Sequence, residues 1–292
     1  MNLNFKKIEL SDKKIIDNYF STYHPKISEY TFTNLFMWSD VRNIRWSKIL
    51  DGLVFLGEKD NESYFFPPIG VKDCEKAFDN LIDYAIKNNI KTISLVPEYQ
   101  IKFVKNKGLK IIPDRDNFDY IYKAEKLAFL KGWRLDGKRG FIKKFKENYN
   151  FIYRKFELND KKNCIALFEK WMEGKEDFNL ASDEYKSFLK FIGNFENLNA
   201  NGGIIEVESK LVAFEFGEPL DDTTFVIHFE KADISYTGSF QIINQQYVEH
   251  EIYPHYKFVN REQDMGVEGL RKAKLSYAPF KLLKKYEIII KD

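Results

Sequence analysis

The stretch Phe225-Val-Ile-His-Phe-Glu-Lys-Ala-Asp233 and the stretch Tyr256-Lys-Phe-Val-Asn-Arg-Glu-Gln-Asp-Met-Gly266, continued by Val267-Glu-Gly-Leu-Arg-Lys-Ala-Lys-Leu-Ser-Tyr277, decide the fold. Each opens with the period-two apolar pattern of a strand and closes in residues that donate, accept or carry charge. Between them Phe240, Ile243 and Tyr247, with Val248 beside them, are spaced by three and four. That spacing predicts an amphipathic helix with its apolar stripe against a sheet. The order is therefore strand, helix, strand, helix, with polar residues gathered where each strand finishes. Ligands of α/β folds bind at that edge, because helix N-termini and loop amides converge there. The functional site is expected between Phe225 and Pro279.

Upstream, Phe151–Phe156, Gly203–Val207, Leu211–Phe216 and Thr223–Phe229 read as strands, Asp160–Met172 and Asp183–Ile192 as helices, and a last strand near Phe280–Ile290 is expected to complete this half. The first half has the same order. A strand Phe5–Leu10 precedes a helix capped at Ser11-Asp12 and a short apolar helix Thr31–Trp38. Strands Ile44–Leu50, Leu53–Gly57 and Ser63–Phe66, a helix Cys74–Asn88 and a strand Thr92–Val96 follow. A helix Tyr99–Lys107 closed by Gly108 and the strands Lys110–Ile112 and Phe118–Lys123 end the half. Between the halves, Lys131–Tyr149 carries seven basic residues against two acidic ones, with Phe141, Ile142 and Phe145 on one helical face. The expected division is an N-terminal domain 1–126, a basic helical connector 127–149 and a C-terminal domain 150–292 that carries the site.

The 292 residues exceed what one core ordinarily holds, and 44% apolar and 16% aromatic composition excludes a disordered chain. Lys and Arg outnumber Asp and Glu by 46 to 44, so the net charge of +2 gives no general attraction to nucleic acid or anionic membrane. Cys74 and Cys164 are not at metal-ligand spacing, and His24, His250 and His255 have no carboxylate or cysteine spacing that suggests a metal. No run reaches the roughly 18 apolar residues that span a bilayer, and Met1-Asn-Leu-Asn-Phe-Lys-Lys lacks a signal-peptide core. The expected location is the cytoplasm. No Ser-His-Asp pattern, Walker loop or dinucleotide fingerprint is present, which sets aside hydrolase, nucleotidase and dehydrogenase readings.

The element order, used twice, resembles the GNAT acyltransferase fold in tandem. Leu135-Asp-Gly-Lys-Arg139 with its following helix, His228-Phe-Glu-Lys-Ala232 and the block Asn260–Tyr277 resemble a bacterial family similar to the C-terminal domain of phosphatidylglycerol lysyltransferase, and more distantly to the Fem peptidoglycan aminoacyltransferases. The resemblance implies an α/β (α+β) fold of two GNAT-like domains. Each would be a mixed, mostly antiparallel sheet flanked by helices and splayed between its fourth and fifth strands. It also implies an aminoacyl-tRNA or related small-molecule donor. Lysyltransferases of this kind carry a transmembrane half, and no such run occurs here.

GNAT enzymes that use acetyl-CoA hold its pyrophosphate on the amides of a glycine-containing loop after the fourth strand, since only small residues let backbone approach phosphate. Here that loop, Ala232-Asp-Ile-Ser-Tyr-Thr-Gly238, has an acidic residue and one glycine. No cofactor is certain from the sequence, and acyl-CoA is possible but disfavoured.

Glu230 and Asp264, each read as lying just past a strand end on the two sides of the splay, are the candidate catalytic carboxylates. Either can hold an ammonium or take a proton from an attacking amine or hydroxyl. Their structural alternative is ion pairing with Lys231, Arg261 or Arg271. Tyr277 is the candidate acid to the leaving oxygen, a role implied by the GNAT resemblance; its alternative is a half-buried aromatic with a satisfied hydroxyl. Arg261, Arg271 and Lys274 suit a phosphate or carboxylate, and Lys138 and Arg139 of the connector extend that basic set towards a tRNA. His228, Lys231, Asn260 and Glu262 complete the substrate-binding candidates, although a histidine in an apolar strand is more often a satisfied core residue. The leading expectation is an aminoacyl- or acyltransferase acting on an amine or hydroxyl. The alternatives are an acyl-CoA-dependent N-acetyltransferase and a non-catalytic small-ligand-binding protein. Oligomeric state leaves no trace in the sequence.

Overall fold

The computed structural model describes residues 3–173 and 178–290. The chain runs β1 (Lys6–Lys7), α1 (Lys13–Tyr23), α2 (Phe32–Trp38), β2 (Arg45–Ile49), β3 (Gly52–Lys59), β4 (Glu62–Phe65), α3 (Cys74–Lys87), β5 (Thr92–Pro97) and β6 (Lys110–Pro113). It continues through β7 (Asp119–Lys123), α4 (Ala124–Phe129), α5 (Asp136–Asn148), β8 (Phe151–Lys155), α6 (Lys161–Met172), α7 (Phe178–Gly193), β9 (Asn201–Val207), β10 (Lys210–Asp221) and β11 (Thr224–Ala232). It ends with α8 (Ser239–Tyr247), β12 (Phe258–Asn260), α9 (Glu268–Ser276), β13 (Lys281–Leu283) and β14 (Lys285–Ile289). Local signals place these elements. Thr31 caps α2 by accepting from the Asn34 amide at 3.0 Å, and Asp73 caps α3 by accepting from that of Lys76 at 3.0 Å. The spacing of Ala77, Phe78, Leu81, Ile82 and Ala85 buries one face of α3.

Two seven-stranded mixed sheets result, ordered β1-β2-β3-β4-β5-β14-β6 and β8-β9-β10-β11-β12-β7-β13. The orders correspond position by position, and in each sheet the fourth and fifth strands run parallel, β4 with β5 and β11 with β12. The sixth position is exchanged: β14, from the end of the chain, lies in the first sheet, and β7, from its first half, lies in the second. The expectation that the last strand completes the C-terminal half is thus corrected, as is the assignment of Phe118–Lys123 to the N-terminal half. The period-two pattern fixes that a segment is a strand and which residues share a face, but not which sheet accepts it. The expected helix Tyr99–Lys107 is also shorter, a 3-10 segment Glu98–Phe103, because the chain leaves helical geometry at Val104.

One compact unit comprises the residues up to Asp119, with Gln263–Val267 and the chain from Leu282 on; the other comprises Tyr120–Glu262 and Glu268–Lys281. The basic segment forms α5 and belongs to the second unit, where it packs against α8.

The second unit has a strongly aromatic core on the α6 and α7 side of its sheet. Phe188 and Phe191 meet Phe216 and Phe229 with ring centroids 5.2 to 6.2 Å apart. Each fully buried phenylalanine contributes about 1.5–3 kcal/mol of apolar burial. The opposite side carries the polar groups described next.

Candidate functional site

Strand β11 pairs with β12 only from Thr224 to Val226, opposite Phe258 to Asn260, yet it continues to Ala232. Beyond Val226 the two strands diverge, and side chains fill the opening. A bulge on β11 sets which ones. Phe216 of β10 stands opposite Phe229 and Gly217 opposite Ile227, leaving His228 without a counterpart. The extra residue re-aims the strand, so Phe229 and Lys231 face the aromatic core while Glu230 faces the opening. Gly217 lets the bulge form, since a Cβ there would sit 2.2 Å from the Val226 carbonyl oxygen.

Glu230 Oε2 accepts from Arg261 Nη2 at 2.5 Å across the opening, with only 15% and 10% of the two side chains exposed. The Arg261 guanidinium lies 4.8 Å from the centre of the Tyr277 ring and 5.7 Å from that of Tyr122. Lys138 of α5 sits over the Tyr277 ring, 4.3 Å from its centre, where burial and the nearby Arg261 hold its pKa below the usual lysine range. Burial raises the Tyr277 hydroxyl pKa, against the pull of Arg261. Lys274 Nζ donates to the Arg261 carbonyl at 2.5 Å, and Tyr122 Oη donates to the Lys274 carbonyl at 2.7 Å, so α9 and β7 fix the backbone that carries the guanidinium. Arg261 Nη1 is buried without a hydrogen-bond partner. On the other side of Glu230, across the β10–β11 register, stands Glu215, which is wholly buried. Its Oε1 accepts from Asn244 Nδ2 of α8 at 2.9 Å. Burial, then the Glu230 charge, raise the Glu215 pKa far above the carboxylate range.

The structure thus brings together Glu230, Arg261, Tyr277, Lys138 and Lys274. The other residues singled out in the sequence lie elsewhere or do other work. Asp264 belongs to the first unit, where its buried carboxylate accepts from Arg115 Nη1 at 3.0 Å and from the Gly266 amide at 3.0 Å. The group that meets Glu230 across the opening is Arg261. His228 is clamped between Glu262, 2.8 Å from Nδ1, and Glu218, 2.9 Å from Nε2. Burial would depress its pKa, but these two carboxylates prevail and raise it to about 9, so the ring is an imidazolium at neutral pH. Asn260 Oδ1 accepts from the Glu262 amide at 2.8 Å and shapes the same turn. Lys231, on the opposite face of the sheet, donates to Glu184 at 2.6 Å and lies 4.2 Å over Trp171. Arg139 donates to the carbonyls of Leu130 and Gly132 and pairs with Asp136, which holds the loop before α5. Arg271 lies half-buried on α9.

Residues 20–289 match the family of phosphatidylglycerol lysyltransferase C-terminal domains. The chain belongs to that family. A conserved protein of unknown function from Bacteroides thetaiotaomicron has the same fold with a TM-score of 0.92 and 31% identity, over 99% of this chain and 100% of that one. L-PGS from Bacillus licheniformis is similar with a TM-score of 0.66 and 13% identity, over 95% and 91%. FemX is similar with a TM-score of 0.65 and 10% identity, over 98% and 97%. At the last two identities the likeness is one of fold, and that fold is GNAT-like. No helix among the described residues is long and apolar enough to cross a membrane.

Glu215, Asn244 and Tyr122 escaped the sequence reading. A signal for Glu215 existed: it interrupts the apolar run Leu211–Phe216, whose partner strand carries Gly202 and Gly203. A Cβ on Gly203 would meet the Tyr153 hydroxyl at 2.5 Å, so the glycine admits that ring beside Glu215. A lone acid in a strand with glycine neighbours marks a polar group under cover.

Proposed function

We propose that the opening between β11 and β12 catalyses transfer of an aminoacyl or acyl group from an aminoacyl-tRNA or related ester donor to an amine or hydroxyl. The observation that carries this reading is the buried Glu230–Arg261 pair, in which Arg261 keeps one N–H group uncommitted. A carboxylate receives a proton from the attacking group, and a guanidinium N–H donates to the carbonyl oxygen as negative charge develops on it. Catalysis then rests on positioning and oxyanion stabilisation rather than on a covalent intermediate. Family membership supports the same class of chemistry.

The loop after β11 argues against a CoA pyrophosphate. Asp233 is buried there, accepts from the Ser235 amide at 3.0 Å and its hydroxyl at 2.6 Å, and pairs with Lys170 at 2.6 Å. A carboxylate occupies the place a phosphate would need. A tRNA contact is supported by α5, where Arg139, Lys143 and Lys146 line a cavity of about 370 Å³ floored by Phe129, Leu130 and Ile142. An intracellular location follows from such a donor.

The test is incubation with tRNA charged with a mixture of labelled amino acids, followed by analysis of label moved to added amines. Transfer that disappears in Glu230→Gln supports the reading. Micromolar affinity for acetyl-CoA with acetyl transfer overturns it in favour of an N-acetyltransferase, and ligand binding without turnover overturns it in favour of a binding protein.

A further inference from the structure

Glu215 and Glu230 are register partners on adjacent strands, so their side chains leave the same face of the sheet with Cβ atoms about 4.5–5.5 Å apart, and the charge of Glu230 adds to burial in raising the Glu215 pKa. Among the described residues one cation is bonded to the pair, Arg261, and it is bonded to Glu230. Glu215 has no exposed surface and a single neutral donor, Asn244; its second oxygen, Oε2, has no donor to accept from. The other titratable groups around the pair are Arg261, Lys138, Tyr277, Tyr247 and Tyr153, the last bonded to Glu251. The tyrosines are pushed upward and remain neutral, and a phenol has no cationic form, so none offsets a carboxylate charge. Two carboxyls this close, one of them wholly buried, do not both ionise against the one guanidinium bonded to them, since burial and Arg261 hold the Lys138 pKa below the usual lysine range; and an orphaned oxygen becomes a satisfied donor once it carries a hydrogen.

We propose that Glu215 and Glu230 share one proton, held on Glu215 and donated to the Glu230 carboxylate, and that Glu215 is a positioning residue that makes this pair the proton carrier of the transfer reaction. The second half of this proposal rests on the transferase reading; the first does not. In the reaction the attacking nitrogen forms its bond to the ester carbonyl carbon and loses one proton to Glu230. The carbon–oxygen bond to the leaving group breaks, and the leaving oxygen takes a proton from the pair. One proton enters and one leaves, so the pair ends as it began, singly protonated, and neither oxidant nor metal takes part. Asn244 and Arg261 keep the two carboxyls distinct, the amide on Glu215 and the guanidinium on Glu230.

The sharing is read by infrared spectroscopy of the whole protein at pH 8, where the C=O stretch of a protonated carboxyl stands apart from that of carboxylates. The wild type is expected to show such a band, and Glu215→Gln to lack it. A band of equal intensity in both, or none in the wild type, overturns the proposal. Should Glu215→Gln fail to fold, Glu230→Gln gives the second reading. Removing the charge beside Glu215 moves the pH midpoint of the band downward, and an unmoved midpoint overturns the proposal. In the transfer assay Glu215→Gln keeps the shape and a donor towards Glu230 but carries no labile acid. Its kcat is expected to fall about a hundredfold, within the ordinary contribution of a positioned acid or base, with KM unchanged and the pH dependence of kcat flattened. A rise in KM with a fall in kcat and an unaltered pH profile would make Glu215 merely structural and overturn its positioning role. If the band behaves as expected while the wild type transfers nothing, the shared proton stands and the transferase reading falls.

Discussion

Lys285 and Asp119 form an ion pair at 2.6 Å in which neither side chain has any exposed surface, although 166 residues separate them. Lys285 also donates to both oxygens of Glu29, at 2.6 and 2.7 Å, and Asp119 accepts from the Ser28 amide and hydroxyl at 2.8 and 2.9 Å. The lysine is carried by β14 and closes the first unit. Removing it leaves two buried carboxylates without their cation, so Lys285→Ala is expected to destabilise the protein by about 3–5 kcal/mol. Urea unfolding measures the loss; a change below 1 kcal/mol contradicts it.

Glu29 makes the first unit sensitive to pH. Burial raises its pKa to about 7, with Lys285 opposing and the Asp119 charge adding to the shift. A group whose folded pKa lies above its unfolded value lends stability that is present below about pH 4.5 and is lost as pH rises through 7. The part of the slope between pH 4.5 and 7 should vanish in Glu29→Gln, while the fall at higher pH that belongs to His228 stays. Thermal unfolding across pH 4 to 8 follows it.

His228 acts in a higher window by the same sign. Its pKa of about 9 lies above the ordinary 6.5, so the Glu218–His228–Glu262 clamp lends stability below pH 6.5 that disappears as pH rises through 9. The contribution is on the order of 3 kcal/mol at full strength. His228→Gln should lower the melting temperature at pH 6 and converge on the wild type near pH 10, while parallel curves would count against the clamp.

Arg261→Lys keeps the charge and loses the fork that bonds Glu230 through Nη2 and leaves Nη1 uncommitted. It is expected to fold, because Glu230 retains a cation, and to lose ligand binding and transfer by at least about tenfold. Calorimetric titration of an aminoacyl analogue, with circular dichroism as the control for folding, separates the two effects.

Gly217→Ala places a methyl group against the Val226 carbonyl oxygen, 2.2 Å away, and that backbone cannot yield without breaking the β10–β11 ladder. A loss of about 1–3 kcal/mol is expected, with weakened ligand binding because the bulge no longer aims Glu230. A variant as stable as the parent would show that the bulge tolerates a side chain.

Much of this was legible in the residues, and what was not has a physical reason. Phe240, Ile243 and Tyr247 announce α8, and Cys74–Asn88 announces α3, because helical burial is a periodic signal within one segment. Glu230 and Arg261 were both visible as site residues, yet their pairing was not, since it depends on one extra residue in β11. The destination of β14 was invisible for a similar reason. The lysine within it signals an unusual strand, but its partners Glu29 and Asp119 are 256 and 166 residues away. Glu215 was passed over because alternation assigns a lone acid to a solvent face, whereas both faces of β10 are buried.

The placement of β14 between β5 and β6 also dictates an order of events during synthesis. Strands β5 and β6 emerge from the ribosome with the place between them empty, and it stays empty until Lys285–Ile289 has been translated. Until then the nascent chain presents two open strand edges and the uncompensated acids Glu29 and Asp119. The N-terminal sheet, first to be made, is therefore the last to be finished, and a ribosome stalled shortly before β14 would release a chain suited to capture by a chaperone or a protease.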